Sequence, residues 1–254
     1  MNGSQNPNQQ SFTNPEYISG NPVIDNIKKT GQNPLFILAS AIYIALPILQ
    51  FVLNFSSTIP IQLIGVVGMI LIVVSCNAKT YPGVRTAGFS VLKGYAITMI
   101  VLGGLLAASS LLMITSFDEF LKEAELSEEL LAEELTALLD ELSQMIGYEV
   151  EAKTIFIILF ALSAFVIVRY AFVVVMCKRL VNSLRTGKNC GKIPVILAVF
   201  YVLMAFVNIL GLVGSVGIAN VFGLILIILD IVAEAAFTLV IFKYNNSLNT
   251  LWYS

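Results

Sequence analysis

Three ionisable residues lie where ionisable residues are expensive. Arg169 falls in the apolar run Thr154–Met176, and Asp230 and Glu234 fall in the run Val221–Phe242. Arg169 stands nine residues before Lys178, and Glu234 stands nine before Lys243. If both runs are helices of the same direction, each charge sits roughly 13–14 Å inside the same boundary. Asp230 is one turn from Glu234 on the same helix face. Intramembrane charges normally face partners or water, and that depth is more than an Arg side chain covers by snorkelling. The spacing predicts a pair between Arg169 and Glu234, with Asp230 left for a proton, water or a cation. Asn208, in the run Pro194–Val213, is a further candidate nearer the opposite boundary. Two chemistries fit: an ion pair that fixes helix register, or a pathway for a proton, an ion or a small solute.

Other chemistries are excluded or weak. The chain has no His, so no mechanism can use imidazole as base, shuttle or ligand. Cys76, Cys177 and Cys190 form no CxxC and suit no zinc spacing; three reduced thiols are expected. HExxH, GxSxG and a Cys–His pair are all missing from the sequence. Asp230 and Glu234 resemble a carboxylate dyad only loosely, since nothing near them is a nucleophile. Gly211, Gly214 and Gly217 follow no strand and precede no Lys-Ser/Thr pair, so they predict a flexible link rather than a phosphate loop. No catalysis, cofactor, metal or nucleic-acid partner is expected.

The elements that must position these residues are set by composition. Of 254 residues, 57% are hydrophobic and 12% charged, with mean hydropathy +0.88. Soluble domains carry about 25% charge. The fold class expected is all-α, a polytopic bundle of six membrane-spanning helices in the lipid bilayer. The spans fall at Pro34–Leu53 (Pro47 as a kink), Pro60–Cys76, Gly94–Thr115, Thr154–Met176, Pro194–Val213 and Val221–Phe242. Residues 1–22, rich in Asn, Gln, Ser, Gly and Pro, are expected as a disordered tail. Residues 23–30 form a short amphipathic turn or two, with Gly31 as C-cap and Pro34 opening the next helix. In span three, Gly103 with Ala107 and Gly104 with Ala108 allow close helix approach, for packing within the bundle in preference to a homo-oligomer.

Charge is segregated. Twelve of the 16 acids lie between Asp118 and Glu151. Eleven of the 14 bases fall in the tails and in the loops after spans two and four, the latter with Lys178, Arg179, Arg185, Lys188 and Lys192. The positive-inside rule puts both termini and all three cysteines in the cytoplasm, in the plasma membrane. The chain then divides into tail 1–22, spans one to three over 23–116, an external acidic segment 117–151, spans four to six over 152–243, and a tail 244–254. Ser116-Phe-Asp-Glu119 has capping-box spacing and Ser127 can cap again, so two amphipathic helices are expected, about 117–126 and 128–146. Covering the outer ends of the spans, binding a protein partner and collecting cations all remain open for them.

Asn26-Ile-Lys-Lys-Thr-Gly-Gln-Asn33 echoes Asn182-Ser-Leu-Arg-Thr-Gly-Lys-Asn189. Each precedes a Pro-initiated span and a return span, through duplication or through shared entry chemistry. The function expected is non-catalytic: a small-solute or ion/proton permease, or a component of one, built around Arg169, Asp230, Glu234 and Asn208. The alternative is an accessory membrane protein that binds its partner through the acidic helices.

Overall fold

The structure is a computed structural model that describes residues 20–54, 59–78, 83–124, 152–215 and 221–252. Among them are seven helices and no strand: α1 (Pro22–Gly31), α2 (Pro34–Asn54), α3 (Ile59–Asn77), α4 (Ala87–Ala124), α5 (Ala152–Thr186), α6 (Val195–Ser215) and α7 (Val221–Trp252). Stretches of α4, α5 and α7 (Ala87–Ser116, Thr154–Thr186 and Val221–Asn249) are long and apolar enough to cross a membrane. A fourth crossing arises if α1 and α2, bent by 56°, count together, and Ile61–Asn77 and Val195–Leu210 are shorter apolar helices. Large apolar side chains face outward on them, such as Leu105 (64% exposed) and Leu112 (67%). Such surface is foreign to soluble monomers; this is an all-helical protein of membrane type.

Two compact units divide the chain, 1–96 with 172–254, and 97–171. In the first, α7 packs against α6, α2 and α1, and α3 packs against α2 and α1. Ala39 and Ile42 of α2 meet Ala236 and Ala233 of α7 in two small cores. The Phe237 ring stacks on Tyr201 (5.5 Å between centroids, 28°) and meets Phe36 and Tyr43 edge-on at 6.3 Å. Glycine brings α3 and α4 together. A Cβ at Gly88 would lie 2.6 Å from the Ile72 nitrogen and 2.9 Å from the Gly68 oxygen, and one at Gly68 would lie 3.0 Å from the Leu92 nitrogen. In the second unit, Gly103 of α4 faces Ile167 and Ser163 of α5, whereas a Cβ at Gly104 would meet nothing within 4 Å. The Gly103 stripe therefore packs internally, and the Gly104 stripe does not.

Several boundaries depart from expectation. Asn21 is ordered as the N-cap of α1, its Oδ1 accepting from the nitrogens of Val23 (2.9 Å) and Ile24 (3.2 Å), and Pro22 is the first helical residue. The expected tail 1–22 thus loses its last two residues to a helix; 1–19 lie outside the described residues. Gly31 is not a left-handed cap. It is the last helical residue, Gln32 caps with φ −89°, and a Cβ at Gly31 would collide with the side chain of Cys76, 2.6 Å from its Cβ. Its smallness serves packing. No helix begins at 117, because α4 runs unbroken through Ser116 to Ala124. Thr115 Oγ1 bonds back to Leu111 O and Leu112 O at 3.0 Å, inside the helix, and extending a helix costs less than stopping and nucleating another. The expected helix 128–146 lies outside the described residues.

The expected basic loop after span four is mostly helix, since α5 carries Lys178, Arg179 and Arg185 and ends only at Thr186. Buried Cys177, Leu180 and Leu184 continue its inward face, and bases suit a helix C-terminus. Likewise α7 continues past Lys243 to Trp252, with Tyr244 and Leu248 buried one turn apart. The tail 244–254 is helical over its described length.

The glycine contact between α3 and α4 yields a test. Gly88→Ala should destabilise the protein by about 1–3 kcal/mol, because backbone must move to admit the methyl group. Gly94→Ala, on the same helix but with nothing within 4 Å of its would-be Cβ, should be neutral or stabilising by up to about 1 kcal/mol. Thermal unfolding of both variants in one detergent decides it.

Candidate functional site

The site is built by α6 and α7. Both are apolar nearly throughout, and α7 presents Asp230 and Glu234 one turn apart on the face that α6 covers. Asn208 of α6 stands opposite. Its Nδ2 donates to Asp230 Oδ2 at 2.9 Å and to Glu234 Oε2 at 3.3 Å. With both acids ionised, the opposite amide orientation would aim a carbonyl oxygen at two carboxylates, so the hydrogens face the acids. Glu234 is buried at 4% exposure and Asp230 is half-buried.

Local packing explains this placement. Ala233 and Ala236, flanking Glu234, are buried in the small cores shared with α2, so the small side chains beside the acid let helices close around it. One turn on, Thr238 Oγ1 donates to the Glu234 carbonyl at 2.9 Å. This keeps a buried hydroxyl satisfied within its own helix.

Two carboxyl groups that accept from one nitrogen are separated, between those oxygens, by no more than the two bonds end to end, about 6 Å, and like charges that close in apolar surroundings repel strongly. A nearby cation or a proton relieves that repulsion, and the arrangement can do chemistry only through such a partner. No group of three or more Cys, Asp and Glu suited to a metal occurs among the described residues.

Of the four residues singled out by sequence, the structure brings three together: Asn208, Asp230 and Glu234. Asn208 is central rather than peripheral, and Asp230, expected to be the spare acid, makes the shorter bond to it. Arg169 lies on α5 in the other unit, its guanidinium carbon 5.9 Å from the Tyr170 ring centroid. A pairing of Arg169 with Glu234 would join the two units and is taken up below as a proposal.

Sequence reasoning missed a second polar layer, at the ends of the first unit's helices. Asn245 of α7 accepts from the Ile193 nitrogen at 2.9 Å and donates to the Ile193 oxygen at 2.8 Å. Ser247 donates to Asn26 Oδ1 at 2.7 Å, and Asn21 Nδ2 to Gly187 O at 2.8 Å. Gln32 donates to Cys76 O at 2.9 Å, and the Arg85 nitrogen to Ser75 Oγ at 2.5 Å. The dipeptide Asn21-Pro22, a cap residue before Pro at the first helical position, was the readable signal. Asn245 carries none.

Compared with protein-family models, with curated proteins and with solved structures, the chain matches none.

The shared amide makes a prediction. Asn208→Ala removes both donors from partly or fully buried carboxyl groups and should cost about 1–3 kcal/mol. Asn208→Ala and Asp230→Ala should be non-additive by about 0.5 kcal/mol or more, as expected for residues in contact. Additive losses in thermal unfolding would remove the Asn208–Asp230 bond from the site.

Proposed function

We propose that the chain is a six-span plasma-membrane protein with both termini in the cytoplasm, acting as a small-solute or ion/proton permease or as part of one. The observation that carries this reading is the Asn208 amide shared by Asp230 and Glu234 inside helices of membrane-spanning composition. Intramembrane acids are costly and concentrate at ion and proton pathways. Of the six spans, α4, α5 and α7 are each long and apolar enough alone, α2 is so when counted with α1, and α3 and α6 are shorter. The shortest apolar stretches, Ile61–Asn77 and Val195–Leu210, reach roughly 25 Å at about 1.5 Å per residue, near the lower limit for a crossing. The orientation rests on the bases, which alternate with the connections.

In this reading Arg169 is the counter-charge of Glu234, and the Asp230 end of the cluster takes up the transported cation or proton. The role is non-catalytic. Asp230→Asn should then lower pH- or potential-driven flux in reconstituted vesicles at least about tenfold while the protein stays folded, as for a group in the pathway. Arg169→Ala should destabilise by several kcal/mol, and adding Glu234→Gln should recover part of the loss, since a lone buried charge is worse than none. If Asp230→Asn transports like the parent, an accessory protein that binds its partner through the acidic segment 117–151 takes the permease's place.

The orientation has its own test. A membrane-impermeant thiol reagent on intact cells should leave Cys76, Cys177 and Cys190 unlabelled and should label a Ser143→Cys variant. The reverse pattern would move the acidic segment to the cytosol.

A further inference from the structure

The connection between α5 and α6 is held by its own bonds. Gly187 takes φ +66° and its nitrogen donates to Ser183 O at 2.9 Å, the left-handed ending of a helix. The Lys188 nitrogen donates to Thr186 Oγ1 (3.2 Å), the Cys190 nitrogen to Ser183 Oγ (3.0 Å) and the Gly191 nitrogen to Asn189 Oδ1 (2.9 Å). The Arg179 guanidinium donates to Lys192 O. Asn21 and Asn245 brace the loop from α1 and α7 through Gly187 and Ile193. These amide hydrogens are spent internally, so the loop is not a backbone cradle for phosphate. What it turns outward is side-chain charge: Arg185, Lys188 and Lys192 are all exposed.

That charge is one-sided and sits beside an apolar belt. Lys29 and Lys178 are exposed on the adjoining helices, and the acid on α1, α5 and this loop is Asp25 alone among the described residues. Within two turns of Lys192, α6 exposes Val195 (50%), Ile196 (45%) and Val199 (47%). Bases directly bordering an outward apolar face match a ligand that has an anionic phosphate head and a hydrocarbon body. A soluble acidic protein would satisfy only the first half.

We propose that Arg185, Lys188 and Lys192 form a docking surface for the headgroups of anionic phospholipids, with the lipid chains lying along the apolar start of α6. The rigid loop holds the three bases in place before the lipid arrives, so less ordering entropy is lost on binding. The surface rests on the membrane-spanning reading, which would fail separately, by release of the protein from membranes in alkaline carbonate without detergent.

The test uses the full chain in a neutral detergent, with phosphatidylglycerol and phosphatidylcholine of equal chain length, counting retained lipid by native mass spectrometry. The parent should retain phosphatidylglycerol over phosphatidylcholine by about tenfold or more, and Arg185→Gln/Lys188→Gln/Lys192→Gln should remove most of that preference, as the loss of three juxtamembrane bases requires. A Lys122→Gln/Lys153→Gln control should keep it. If the triple variant does not fold, Lys188→Glu serves instead, because the hydrogen bond at that residue is made by its backbone nitrogen, and it should weaken retention several-fold. Equal retention of the two lipids by the parent, unchanged retention by folded variants, or displacement of phosphatidylglycerol by inorganic phosphate, which would mark a soluble-anion site, overturns the proposal.

Discussion

The first unit depends on the pairing of the Asn245 side chain with both backbone groups of Ile193. A buried amide with one donor and one acceptor used against a peptide unit mimics a sheet-like pair, and leaving either side open would cost about 1–3 kcal/mol. The consequence is positional. Ile193 immediately precedes Pro194 and the start of α6, so the pair fixes where α6 begins relative to α7. Asn208 then meets Asp230 and Glu234 fifteen residues further along α6. Ser247, half a turn past Asn245, extends the same layer to α1. In a helical protein with an apolar exterior, burial alone does not choose which helix faces which, because lipid tails are as apolar as leucine. Directional amide bonds and glycine notches make that choice here.

The two echoing segments show how equal sequence can serve unequal ends. Thr30 and Thr186 each donate to the carbonyl four residues back, Asn26 and Asn182, at 2.8 Å. The glycines that follow diverge. Gly187 turns the chain with positive φ, whereas Gly31 stays helical and makes room for Cys76. The difference lies in what comes next. Pro34 opens α2 three residues after Gly31, leaving no length for a left-handed turn and a loop, while Pro194 comes seven residues after Gly187. The similarity is thus accounted for by shared helix-end chemistry as far as the threonines, and no further.

What could be read from sequence was the class of the elements and the face they share. Apolar runs marked α2, α3 and α6 to within two residues at each end, and the spacing of Asp230 and Glu234 placed both acids on one face of α7, although Asn208 as the amide they share was not foreseen. Ends were misread wherever membrane boundary was taken for helix boundary. Lys178 and Lys243 mark where apolar composition stops, yet α5 and α7 continue because Leu180, Leu184, Tyr244 and Leu248 keep an inward face at helical spacing. Ser116 was misread for a related reason: a capping box is also an ordinary helical sequence when the preceding turn is already formed. The Gly68–Gly88 notch and the Asn245 pair were invisible because each needs a partner distant in the chain, and one sequence does not reveal register between helices.

These observations bear on whether the acid cluster exists for structure alone. A register-fixing role is the simplest account of buried polar groups. Register between α6 and α7, however, is already set near one end by Asn245 with Ile193, and within the pair by the Tyr201–Phe237 stack at 5.5 Å. Asn208 facing a single hydroxyl would add the same directional information without burying a carboxyl group. Two acids one turn apart exceed what holding the helices requires, and their mutual repulsion works against it. A proton or cation visiting the Asp230 end, as the proposed function has it, would relieve that repulsion, which a purely structural cluster would have to carry.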